Sequence, residues 1–192
     1  AISYQKPDVI YAAIETDRTK GGVYKSTDRG ESWKKMSNTV SGGTGPHYYQ
    51  ELYISPHEFD RLYLMNVHIL TSKDGGKNFK QLTNERNFYY YFDKKHSDHH
   101  AMAFKMSDPD YLMVGTDAGI YESFDSAKNW HYFLNLPLTQ FYKVAVNNKE
   151  PFYHIFGGTQ DNGSAGGPSA TDEEFGITNR VWYKTLMADG HQ

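Results

Sequence analysis

The chain has 192 residues, with 23 acidic side chains against 20 basic ones and a formal net charge of -3. So weak a charge, with no run of Lys or Arg, lacks the electrostatic footprint of a protein that grips a phosphate backbone, and no nucleic acid is expected as a partner. No apolar stretch approaches the roughly 18 residues that a membrane-spanning helix needs, so no membrane span is expected. The absence of Cys excludes a disulfide framework and Cys-based metal sites. Aromatic residues make up 16%, led by 16 Tyr, which favours pleated, half-buried surfaces over helices. Ala1 leads almost at once into a strand-like segment, as in a mature chain freed of a leader or a piece of a longer one.

Taken in chain order, the first elements are a turn at Lys6-Pro7-Asp8 and strands over 9–14 and 22–25. They end on Ser26-Thr27-Asp28-Arg29-Gly30-Glu31-Ser32-Trp33. The next set is an inner strand over 51–54, a turn at Glu58-Phe59-Asp60, and strands over 62–65 and 68–71. It ends on Ser72-Lys73-Asp74-Gly75-Gly76-Lys77-Asn78-Phe79. The third set runs through 101–104, 111–114 and 119–122 to Ser123-Phe124-Asp125-Ser126-Ala127-Lys128-Asn129-Trp130. The fourth has strands over 142–146, 152–156 and 181–184, with a long Gly/Ser/Pro/Asp loop read over roughly 157–179. No segment carries a convincing helical period.

The shared pattern is Ser-x-Asp-x-Gly-x-x-aromatic, and its serines lie 46 and then 51 positions apart. Asp and Ser side chains bond nearby backbone N–H groups and hold a turn closed, and Gly accepts the positive φ that such a turn needs. Ala127 stands where the other copies have Gly, so its turn is expected to be strained or distorted. The period suits the four-stranded blade of an all-β propeller. On this reading residues 1–192 form one partial β-propeller of about three and a half blades, 1–49, 50–97, 98–139 and 140–192, the first lacking its inner strand. An open arc exposes sheet edges, so the remaining blades, or a neighbouring chain, are expected as partners.

The repeated unit resembles the Asp-box, or BNR, repeat of sialidases, xyloglucan-cleaving glycoside hydrolases and the sortilin-type receptor propeller. His96-Ser97-Asp98-His99-His100, Gly115-Thr116-Asp117-Ala118-Gly119 and Gly158-Thr159-Gln160-Asp161-Asn162-Gly163-Ser164 are similar to segments of large bacterial propeller proteins termed glycosyl-hydrolase-like or sortilin-like. The resemblance implies a fold and an extracytoplasmic setting, whether periplasmic, cell-surface or secreted. It implies no particular activity, because the box is a structural turn shared by enzymes and binding proteins.

In such propellers the loops that lead into inner strands share one face with the loops that follow second strands. That face is expected to gather His47, Tyr48, Tyr49, Tyr90, His99, His100, Gln160 and Asn162 as ligand-binding candidates. Asp98, Asp117 and Asp161 are the candidates for paired-carboxylate glycoside hydrolysis, and Asp189-Gly190-His191 returns to the same face. His96, Asp98, His99 and His100 could ligate a metal only weakly, since neighbouring side chains on a strand point to opposite faces. The alternative is hydrogen bonds that tie blades together at the channel. No cofactor is expected. The leading reading is a glycan- or protein-binding scaffold, with a polysaccharide as a candidate ligand. The alternative is a polysaccharide-acting hydrolase on the same face.

Overall fold

A computed structural model describes residues 1–17, 20–40, 51–82, 98–117, 119–133, 135, 136, 138–160, 163–187, 189 and 190. The chain divides into two compact units, Ala1–Leu134 and Asn135–Gln192.

The first unit holds three antiparallel sheets. The first sheet is β1 (Ile10–Asp17), β2 (Lys20–Ser26) and β3 (Lys34–Ser37), in that order. The second is β4 (Leu52–Ile54), β5 (Leu62–Leu64), β6 (Leu70–Ser72) and β7 (Lys80–Gln81). The third is β8 (His99–Phe104), β9 (Leu112–Thr116), β10 (Gly119–Ser123) and β11 (His131–Tyr132). The sequence places no inner strand in the first sheet. The structure supplies a rudiment of one, since Ile2 bridges Ile10 and the Ser3 amide donates to the Val9 carbonyl at 2.9 Å.

Equivalent registers govern the three sheets, because Ile10, Leu62 and Leu112 each pair with the serine that opens a turn: Ser26, Ser72 and Ser123. Strand alternation then sends residues to opposite faces. Val9, Tyr11 and Val23 of the first sheet close against Ile54 and Leu62 of the second. Tyr63, Met65 and Ile69 of the second close against Met102, Leu112, Val114 and Ala127 of the third. Each fully buried aliphatic side chain stabilises the seam by about 1.5–3 kcal/mol relative to exposure.

The second unit is one four-stranded sheet: β12 (Lys143–Val146), β13 (His154–Gly158), β14 (Ser164–Pro168) and β15 (Tyr183–Leu186). β14 lies inside the stretch that the sequence reads as loop. Its glycines are required by rings lying across them. A Cβ on Gly166 would come 2.8 Å from the Phe156 ring, and one on Gly167 would come 2.6 Å from the Trp182 ring. Gly157 on β13 is covered in the same way by Phe141 at 2.3 Å. The strand is thus apolar through its neighbours' rings rather than through its own side chains. Gly167 pairs with Ile155, at the register where the other sheets carry the turn serine. Without that hydroxyl the fourth sheet has no Ser-x-Asp turn, and its third and fourth strands are joined by a longer segment holding a short 3-10 turn at Asn179–Val181.

Candidate functional site

The three Ser-x-Asp turns are built alike. The Ser26 hydroxyl accepts from the amides of Asp28 at 3.3 Å and Gly30 at 2.8 Å, and it donates to the Asp28 carboxylate at 2.7 Å. Ser72 makes the same set with Asp74 and Gly76, and Ser123 makes it with Asp125 and Ala127. The aspartate then accepts from the amide four positions on: Ser32 at 2.9 Å, Asn78 at 3.0 Å and Asn129 at 2.9 Å. Each turn joins the last two strands of its sheet: β2 to β3, β6 to β7 and β10 to β11. Ala127 keeps every bond of its turn at φ +70°, so the turn is strained but not distorted. Ser26, Asp28, Gly30, Ser72, Asp74, Gly76, Ser123 and Asp125 thus hold these turns closed, and Trp33, Phe79 and Trp130 follow at the next aromatic position.

At the opposite ends of the strands of the third sheet, Asp98, His99, His100 and Asp117 come together. The Asp117 amide donates to the Asp98 carbonyl at 3.1 Å, where the first strand starts beside the end of the second. His100 Nε2 lies 2.7 Å from an Asp117 carboxylate oxygen, and both side chains are partly exposed. His99 turns the other way. It is fully buried, and its Nδ1 lies 3.1 Å from the Asn66 carbonyl and 2.9 Å from that of Val67. Both partners can only accept, so Nδ1 carries the proton. Burial pulls the His99 pKa down to about 4, only partly offset by those carbonyls, so the ring stays neutral at physiological pH. His99 thus ties the second sheet's hairpin to the third sheet's first strand. Among the described residues no three His, Asp or Glu side chains converge as they would on a metal ion, and His96 lies outside those residues.

In the second unit, Gln160 follows the second strand as Asp117 does, and Tyr142 precedes the first strand. The Tyr142 hydroxyl lies 2.5 Å from the Gln160 amide oxygen. The Gly190 amide donates to the Thr159 carbonyl at 2.9 Å, which returns Asp189 and Gly190 to this end of the sheet. Asp161 and Asn162 lie outside the described residues, as do His47, Tyr48, Tyr49, Tyr90 and His191.

Sequence reasoning missed Tyr142, whose place follows only from the strand register, and it left Arg61, between a turn and a strand, without a role. Arg61 is 6% exposed, and its guanidinium lies 5.0 Å from the centre of the Tyr63 ring. Its Nε and Nη1 are buried, with no hydrogen-bond partner among the described residues.

Neither a protein-family model nor a curated protein sequence matches the chain. Solved structures do. The GH74 xyloglucanase from Xanthomonas campestris matches 87% of this chain and 28% of its own, at 15% identity and a TM-score of 0.52. The Niastella koreensis GH74 enzyme matches 95% of this chain and 29% of its own, at 12% identity and a TM-score of 0.52. The chain has the fold of part of a β-propeller. YCF48 from Cyanidioschyzon merolae matches with 14% identity over 99% of this chain and 56% of its own, at a TM-score of 0.45. The chain spans less than a third of either GH74 enzyme, and at these identities the likeness extends to the propeller fold alone. The three serines 46 and 51 positions apart each open the turn before the last strand of one of its sheets.

Proposed function

We propose that this chain belongs to an Asp-box propeller of the glycosyl-hydrolase-like or sortilin-like type, working outside the cytoplasm as a glycan- or protein-binding module. The observation that carries the reading is the His100–Asp117 pair at the strand end of the third blade, with Tyr142–Gln160 in the corresponding position of the fourth. Each pair is partly exposed and already hydrogen-bonded on a rigid hairpin, so it presents fixed polar groups at low entropic cost on binding. Asp117 suits this role better than acid–base catalysis. One oxygen is held by His100, and the other is buried.

The test is retardation of the chain in gels containing soluble polysaccharides, xyloglucan among them, alongside capture on an immobilised peptide library. His100→Ala and Tyr142→Phe are expected to weaken whichever binding is found by about fivefold each, the worth of one hydrogen bond near 1 kcal/mol. Their far-UV circular dichroism should stay unchanged. Full binding by both variants would remove the site from this end of the blades. Release of new reducing ends, lost in folded Asp98→Asn and Asp117→Asn variants, would assign hydrolysis instead.

A further inference from the structure

The seam between the first and second blades and the seam between the second and third are built on equivalent positions, yet they treat charge differently. In the first seam the Tyr11 hydroxyl and Lys25 Nζ, from the first blade, both donate to the Asp60 carboxylate of the second, the lysine at 2.7 Å. In the second seam Tyr63 stands where Tyr11 does, and Thr71 faces it in register as Lys25 faces Tyr11. Thr71 brings no charge, and its Oγ1 donates to the Leu62 carbonyl at 3.0 Å. Asp110 stands where Asp60 does, since the carbonyls of both accept from the neighbouring Ser-x-Asp turn, at Gly75 and Ser126. Its carboxylate accepts from the Ser126 hydroxyl at 2.5 Å. The cation of the second seam is Arg61, at the position that Val9 holds in the first: the Ser55 and Ser3 amides donate to their carbonyls at 2.9 Å.

Arg61 precedes Tyr63 by two residues and therefore faces the same seam. Its guanidinium lies over that ring, which packs on Phe104 of the third blade with 5.6 Å between ring centres. In the same turn as Arg61, His57 Nε2 donates to the Lys105 carbonyl at 3.0 Å and joins the two blades at this end. The turn carboxylates Asp60 and Asp108 are engaged by Lys25 and by Lys105 at 3.5 Å, and Glu58 is exposed. Among the described residues no acceptor meets the buried Nε and Nη1 of Arg61. An arginine does not shed its proton inside a protein. A charge taken out of water without a partner costs far more than a ring face returns. A counter-ion resolves that imbalance.

We propose that the second seam holds a small monovalent anion on Arg61, chloride or a carboxylate of formate size, which does for this seam what the Asp60 carboxylate does for the first. Guanidinium N–H groups form charge-assisted bonds to such ions. The size follows from the packing. Arg61 is only 6% exposed, which leaves an opening for an ion and not for a partner's side chain. The seams are tight at this end: a Cβ on Gly76 would come 2.8 Å from Val23 in the first, and Ala127 is 3% exposed in the second. The site lies between two adjoining blades inside the first unit, and it is independent of any ligand on the His100–Asp117 end.

Chloride-35 line broadening by the full chain tests it, with urea unfolding in sodium chloride as a second measurement. The unaltered chain should broaden the chloride line, and Arg61→Val should not. Valine suits the repeat because Val9 holds the equivalent position; if that variant does not fold, Arg61→Met keeps the apolar stem and replaces it. Sodium formate is then titrated in. Loss of the broadening would show that a carboxylate takes the same place, and its persistence would leave chloride as the ion. In urea the folding constant of the unaltered chain should gain up to tenfold for each tenfold rise in chloride above its dissociation constant. Arg61→Val, measured at the same salt, should gain only what screening gives. Equal broadening by both proteins, or the same chloride dependence of unfolding in both, would overturn the proposal and leave water as the partner of Arg61. None of these changes touches His100 or Tyr142, so the anion site and ligand binding fail separately.

Discussion

One serine hydroxyl and one carboxylate satisfy most of each Ser-x-Asp turn, and this makes the turns sensitive to acid. Asp28, Asp74 and Asp125 are all held down to a pKa of about 2. For Asp28 the leading cause is the Ser32 hydroxyl, and for Asp74 and Asp125 it is the amide four residues on. A carboxylate whose folded pKa lies below its unfolded value of about 3.9 contributes its full stability above that value. The contribution drains away as pH falls through the folded pKa. The contribution of these three carboxylates should therefore be flat from neutral pH down to about 4 and then drop steeply towards 2, whereas the buried neutral His99 lowers the melting temperature earlier, between about 6.5 and 4. In Asp74→Asn the drop should be shallower; an unchanged pH profile would show that this turn does not anchor the fold. At the same scale, the paired glycines separate two costs. Gly30 and Gly76 both have positive φ, at 94° and 89°. Gly30→Ala should cost about 1 kcal/mol of backbone strain. Gly76→Ala adds the collision with Val23 and should cost about 1–3 kcal/mol more by chemical denaturation. Equal losses would mean that the first seam yields freely. The turn residues were legible in the sequence because their partners lie within four positions. The tie made by His99 was not, since it depends on carbonyls 32 and 33 positions away.

Strand identity was legible wherever side chains carry the apolar pattern, as in Leu62-Tyr63-Leu64 or Leu112-Met113-Val114. It failed at β14, whose sequence Ser-Ala-Gly-Gly-Pro has the composition of a loop. The ladder holds there because rings from Phe156 and Trp182 occupy the space that β14 leaves empty. Gly167→Ala should therefore act like overpacking a core, destabilising the second unit by about 1–3 kcal/mol. It should also shift the fluorescence of Trp182 as the ring is pushed aside. An alanine accepted there without loss would mean that Trp182 is not fixed over the strand. The same glycine explains why this blade ends its third strand without a Ser-x-Asp turn, a difference visible in the sequence only once the register with Ile155 is known.

Across the molecule, the spacing of three short motifs was enough to imply repeated sheets, because each motif marks the same corner of its blade. The spacing could not tell which polar residues meet. Asp98, His100 and Asp117 gather in the first unit, whereas Gln160 pairs with Tyr142 in the second. The seams are the cooperative parts of the first unit. Leu62→Ala should cost about 2–5 kcal/mol by opening a cavity between two blades. Amide exchange should then quicken in β1 as well as β5; quickening confined to β5 would show that the seam does not unfold as one piece. The Ser-x-Asp turns have a further consequence in time. Their defining bonds join residues two to four positions apart, so each corner can close with almost no loss of chain entropy. As the chain leaves the ribosome, every hairpin of the first three blades can be finished before the next blade is synthesised. Each then stands as a template whose exposed seam waits only for the following thirty or so residues, about the length between one corner and the next inner pair of strands.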